Sequence, residues 1–146
     1  MVAKMKKTFR FIGLKGEGAF RDYSTEVPKH AQEFLRRLHE VKGETGPEIA
    51  LYEPKRDQDH VNGFYYVGVT LDEPLTNVPE GMSYMELNEE YATMKGKDIE
   101  NLHRNLNKWV HDQGYQLRAE SYIVETYHPM EDGGEEVAVY LPIEGA

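Results

Sequence analysis

The sequence predicts an α+β fold: duplicated β-α-β-β units related by a pseudo-twofold, with antiparallel sheets backed by two helices around a central groove. Three observations carry that prediction. Two segments place apolar residues at helical spacing, and six others, rich in Val, Ile, Tyr and Phe, read as strands. The order strand, helix, strand, strand then occurs twice, with the second helix starting about 70 residues after the first.

The first strand is expected over residues 7 to 14, and GLKGEGAF after it reads as a bent strand and turn. Gly13, Gly16 and Gly18 imitate a phosphate-binding loop only in being glycines, because the Lys-Ser/Thr ending is missing. The first helix is expected from Pro28 to Lys42, with Ala31, Phe34, Leu35, Leu38 and Val41 on one face. Pro28 suits a first turn and Gly43 a stop. Strands follow at 48 to 53, 64 to 70 and 83 to 95. The second helix, Asp98 to Gln113, carries Ile99, Leu102, Leu106, Trp109 and Val110 on its apolar stripe and ends before Gly114. Trp109 is therefore assigned to the core. Strands at 120 to 127 and 136 to 142 complete the second unit. The loops at 54 to 62 and 129 to 135 are polar turns rather than boundaries, so residues 1–146 read as a single domain.

Composition narrows the function. Hydrophobic residues at 39% and 16 aromatic side chains exclude a disordered chain. A length of 146 residues lets folding hide roughly two-thirds of the unfolded surface, enough for one modest core. The formal charge of -9 repels phosphate backbones, so no direct nucleic acid binding is expected. Cysteine is absent, no secretion signal opens the chain, and no apolar run approaches the roughly 20 residues a membrane span needs. A cytoplasmic location and no membrane association are the resulting expectations. The six histidines show no HExxH or similar pairing; they are expected at the surface, and neither a metal nor another cofactor is implied.

From Val78 onward the chain reads VPEGMSYMELNEEYATMKGKDIENLHRNLNKWVHDQGYQLRAESYIVETYHP and then EEVAVYLPI. A Pro-Glu-Gly opening, a Tyr-Ala pair before a Gly, a Trp-bearing helix, a Gly-Tyr exit, Glu-x-Tyr and a Pro-Ile ending follow in order. In that order they resemble the GyrI-like small-molecule-binding family, which includes the effector domains of BmrR- and Rob-type transcription regulators. In the first half only GFYYVGV and the element order fit. The resemblance implies the paired-unit fold and a groove where aromatic side chains hold a flat or greasy ligand beside a strand carboxylate, here Glu125. Alternation along Ser121, Ile123, Glu125 and Tyr127 independently gives Glu125 one aliphatic and one aromatic neighbour on its face. Tyr127, Tyr91 and Tyr140 belong to matching segments and are taken as ligand-binding. Phe64 and Tyr66 share a strand face opposite Tyr65, Val67 and Val69. One set should face the helix and the other the groove, and Phe64 and Tyr66 are assigned to the groove.

Three functions follow from this reading. The first is a stand-alone binding module that captures an amphipathic, in one form cationic, aromatic compound, acting through a protein partner if it is regulatory. The alternative is a hydrolase of electrophilic xenobiotic compounds in the same groove, with Glu125 as its acid or base; apart from that case no catalytic residue is assigned. The third is an interaction protein of the DNA gyrase inhibitor type, suggested by the family's name-giving member.

Overall fold

The structure, a computed structural model, describes residues 1–145. Its strands are β1 (Ala3–Ala19), β2 (Thr45–Tyr52), β3 (Asn62–Leu71), β4 (Ser83–Gly96), the short β5 (Gln116–Leu117), β6 (Ile123–Pro129) and β7 (Glu135–Glu144). The helices are α1 (Tyr23–Arg36) and α2 (Ile99–Asp112). The order β-α-β-β is met twice, as β1-α1-β2-β3 and β4-α2-β6-β7.

Every pairing is antiparallel. Within the units the spatial orders are β1-β3-β2 and β4-β7-β6, and the units join through β2–β6 and β1–β4. Because β4 also pairs with β7, the ring of hydrogen bonds closes and each of the six long strands pairs with two others of the ring, β7 holding the short β5 as well. Closure removes the exposed edges that invite aggregation. It depends on the length of β1 and β4. Residues Ala3–Gly13 of β1 pair with β4 while Phe11–Ala19 pair with β3, so one strand serves both halves.

That double service explains why β1 extends beyond the expected 7 to 14. At its branch point Gly13 lies opposite Gly68. A Cβ on Gly13 would stand 2.0 Å from the Val67 carbonyl oxygen, and one on Gly68 would stand 1.9 Å from that of Ile12. Gly13, read from the sequence as the start of a bend and turn, instead permits close backbone approach within a continuous strand.

The first helix also differs from expectation. It begins at Tyr23, five residues before Pro28, and gives way after Arg36 to a 3-10 turn at Leu38–Glu40. Pro28 lies inside the helix, where its missing N–H deprives the Ser24 carbonyl of its usual donor. The second helix matches expectation closely; Asp98 caps it by accepting the Asn101 amide at 3.2 Å.

Both helices lie on one face of the sheet. α1 packs on β3 and β1, burying Val27 and Phe34 among Ile12, Tyr65, Val67 and Val69. α2 packs on β4 and β7, burying Leu102, Leu106 and Val110 among Ala92, Val139 and Leu141. Each such aliphatic side chain contributes about 1.5–3 kcal/mol when fully buried. The opposite face holds a third cluster built on Phe9, Phe11, Ile49, Leu51, Tyr91 and Val124. No helix among the described residues is long and apolar enough to cross a membrane.

Candidate functional site

The covered strands are β1, β3, β4 and β7, which leaves the central β2–β6 pair bare on the helix face. A groove of about 710 Å³ lies there, with Val27 and Ala31 of α1 on one wall and Ile99 and His103 of α2 on the other. That volume accommodates a drug-sized molecule. Its floor follows from strand alternation: Glu48, Ala50 and Tyr52 on β2 face the groove, as do Ile123, Glu125 and Tyr127 on β6. Ala50 lies opposite Glu125, and Glu48 opposite Tyr127.

Glu125 is 6% exposed, and a carboxylate so far out of water requires donors or a cation. The protein supplies three donors. Tyr127 donates to Oε1 at 2.5 Å, Tyr52 reaches the same oxygen at 3.3 Å, and the Nε2 of His103 lies 2.6 Å from Oε2. The two hydroxyls are themselves 3.4 Å apart. Burial, and next the neighbouring carboxylate, pushes the Tyr52 phenol far above its ordinary range. For Tyr127 the order is burial, then Tyr52, then Glu125, with the same direction. Both phenols therefore stay protonated and serve as donors throughout the neutral range.

Further out, the Tyr23 ring stacks on Tyr52 at a centroid distance of 5.8 Å and an interplanar angle of 29°. Its hydroxyl is buried without a hydrogen-bond partner, and burial, followed by the Glu53 charge, raises it to about 12. Glu48 also faces the groove, its carboxyl held above the usual range by burial and then by Glu135. Glu53 is anchored, accepting from the Phe64 amide at 3.1 Å and from Arg56 at 3.0 Å. Among the described residues no three His, Cys, Asp or Glu side chains gather as a metal site.

Of the six residues assigned from sequence, the groove brings together Glu125 and Tyr127. The other four lie elsewhere. Tyr91 is wholly buried on the opposite face, edge-on to Phe9 at 5.6 Å and to Tyr140 at 5.8 Å. Phe64 and Tyr66 join Tyr122 in a second aromatic cluster on that face, with ring centroids 5.8–6.1 Å apart. The reason is architectural: helix and groove share one face, so Tyr65 and Val67 point towards the groove side and Phe64 and Tyr66 away from it.

Sequence reasoning missed Tyr52, Tyr23 and His103. His103 was expected at the surface, yet it is half-buried against Glu125, and His60 is buried at 9% exposure under the Phe20 ring. A signal for His103 existed. It falls four residues after Ile99 and three before Leu106, on the same apolar stripe. Trp109 takes its expected place, packed against the α2 cluster and stacked on Tyr115.

Comparison with known proteins agrees with this architecture. Solved structures share the fold at low sequence identity. The EcmrR protein in a DNA-bound complex has a TM-score of 0.72 at 15% identity, covering 100% of this chain and 58% of that one, so the chain spans little more than half of EcmrR. The SAV2435 protein, solved with tetraphenylphosphonium, gives a TM-score of 0.72 at 12% identity, covering 99% and 94% of the two chains. An integron cassette protein from the mobile metagenome of Vibrio cholerae gives 0.62 at 10% identity, covering 98% and 95%. No match was found among curated protein sequences. At the level of sequence, residues 4–143 match the family described as Cass2, integron-associated effector binding protein. The chain therefore belongs to that family, a GyrI-like group of small-molecule-binding domains whose fold it shares.

Proposed function

We propose that the groove captures amphipathic, cationic aromatic compounds, with Glu125 as the counter-charge and Tyr127, Tyr52 and Tyr23 as the ring-bearing walls. The observation that carries this is a carboxylate set on the floor of an apolar cavity among aromatic rings. A cation about 4 Å from such a group gains on the order of 4 kcal/mol at intermediate dielectric, and each ring face adds roughly 0.5–2 kcal/mol. The structural similarity to a protein solved with tetraphenylphosphonium, a lipophilic cation, supports the same ligand class. Calorimetry with tetraphenylphosphonium on wild type and Glu125→Gln tests it. Binding should weaken by about 1–3 kcal/mol in the variant; equal affinity would refute Glu125 as the counter-charge.

Hydrolysis of electrophilic compounds is a second reading, favoured by the His103–Glu125 contact. A carboxylate that orients an imidazole can support proton removal from an attacking water. A solved protein of similar fold, TM-score 0.62 at 10% identity, is described as a hydrolase from Listeria innocua. Turnover of an epoxide panel that survived in both Glu125→Gln and His103→Ala would remove this mechanism.

A further inference from the structure

We infer that His103 is the specificity-determining residue of the groove: it competes with a ligand cation for Glu125, so that cation binding expels a proton from the imidazole. The inference rests on the cation-binding reading above and names what regulates it.

Both carboxylate oxygens are engaged by the protein itself. Oε1 takes the two phenols, and Oε2 takes His103 Nε2 at 2.6 Å. The phenols are neutral donors that cannot compete with a cation for charge. The imidazole can, because on taking up a proton it becomes a cation in contact with the same carboxylate. It is also the outer partner, with its side chain 29% exposed against 8% for Glu125. A ligand entering the groove therefore meets the imidazole on its way to the carboxylate.

The surrounding charges leave Glu125 as the focus of that competition. Lining the groove with His103 are Glu125 and Tyr127 from β6, Tyr52 and Glu48 from β2, Tyr23 from α1 and Glu135 from β7, with Glu53 and Lys55 just beyond the end of β2. Glu48, Glu53 and Glu135 attract either cation, whereas Lys55 repels both. A protonated His103 and a bound monocation would place two positive charges on one buried carboxylate. Expelling the imidazole proton removes that repulsion, and the exchange balances: one ligand cation enters and one proton leaves. By linkage, protonation of His103 must weaken cation binding by the factor with which the cation disfavours the proton.

The probe is tetraphenylphosphonium, whose charge does not change with pH, titrated by calorimetry into wild type and His103→Gln from pH 5.5 to 8.5. Glutamine places a neutral N–H donor near the position of the imidazole Nε2 that meets Glu125 and cannot be charged. Thermal unfolding first establishes that the variant is folded. Wild-type affinity should rise about tenfold or more across that range, while His103→Gln should bind with a much shallower profile, set by the remaining groove carboxyls. Repeating the pH 5.5 titration in two buffers of different ionisation heat should reveal proton release in wild type and far less in the variant. Parallel pH profiles in the two proteins, or no proton release from wild type, would overturn the role of His103 while leaving the cation reading intact. Absence of binding to both proteins at every pH would overturn the cation reading and this inference with it.

Discussion

Removing one hydroxyl from the groove floor should cost more than its size suggests. Tyr127→Phe deletes the 2.5 Å hydrogen bond to Glu125 and leaves Tyr52, at 3.3 Å, as the remaining phenolic donor to that oxygen. Hydrogen bonds to ionised groups contribute about 1.5–3 kcal/mol, so a loss near 2 kcal/mol is expected. With a total stability on the order of 5–15 kcal/mol, that moves the urea midpoint by roughly 1 M at pH 7. A double-mutant cycle isolates the interaction. Glu125→Gln removes the charge with little change of shape, so the hydroxyl then has less to lose. The double variant should be less destabilised than the sum of the singles by at least about 1 kcal/mol. Urea unfolding followed by circular dichroism supplies all four corners of the cycle. Additivity within about 0.5 kcal/mol would refute the claim that the phenol stabilises a buried charge.

Three further outcomes follow from the same geometry. Gly68→Ala, whose new Cβ would collide with the Ile12 backbone, should cost about 1–3 kcal/mol or prevent folding, whereas Gly18→Ala, which meets nothing within 4 Å, should stay within about 0.5 kcal/mol of wild type in thermal unfolding. Tyr91→Phe should be neutral or slightly stabilising, since the hydroxyl it removes is buried without a partner; a loss above about 1 kcal/mol in urea would contradict this. Glu48 has a folded-state carboxyl raised by burial and by Glu135, so its contribution to stability is present at acid pH and is lost as pH rises through its folded value. Glu48→Gln should accordingly gain stability over wild type at pH 7 and show no gain below pH 4, measured by unfolding at both.

The sequence made the elements legible and left their arrangement hidden. Periodicity placed α2 to within a residue at each end, because Asp98, the stripe and Gly114 all agree on its limits. For α1 the same rules failed, since Pro28 resembles a start signal and FRDYSTEV carries no apolar run long enough to outweigh it. The alternation around Glu125 was readable because a period of two requires no tertiary knowledge. Which face of β3 meets the groove was not readable. Alternation separates Phe64 and Tyr66 from Tyr65 and Val67, but only the packing of both helices on one face decides which set the groove receives. His103 lay between these cases: its position on the α2 stripe was visible, and its partner across the groove was not.

The difference between covered and bare strands explains why the groove lies where it does. Beneath the helices the sheet presents Val67, Val69, Val139 and Leu141, aliphatic side chains that gain from complete burial. On the β2–β6 seam, which neither helix covers, the same face presents Glu48, Tyr52, Glu125 and Tyr127. Each β-α-β-β unit covers its own two outer strands, so joining two units by β2 and β6 leaves an uncovered strip at the junction. An aliphatic strip there would be a sticky surface open to aggregation. A strip of phenols and carboxylates avoids that, yet it buries one acid that takes its donors from β6, β2 and α2. The groove thus lies where the two β-α-β-β units meet, and the acid buried in its floor takes one of its partners, His103, from α2.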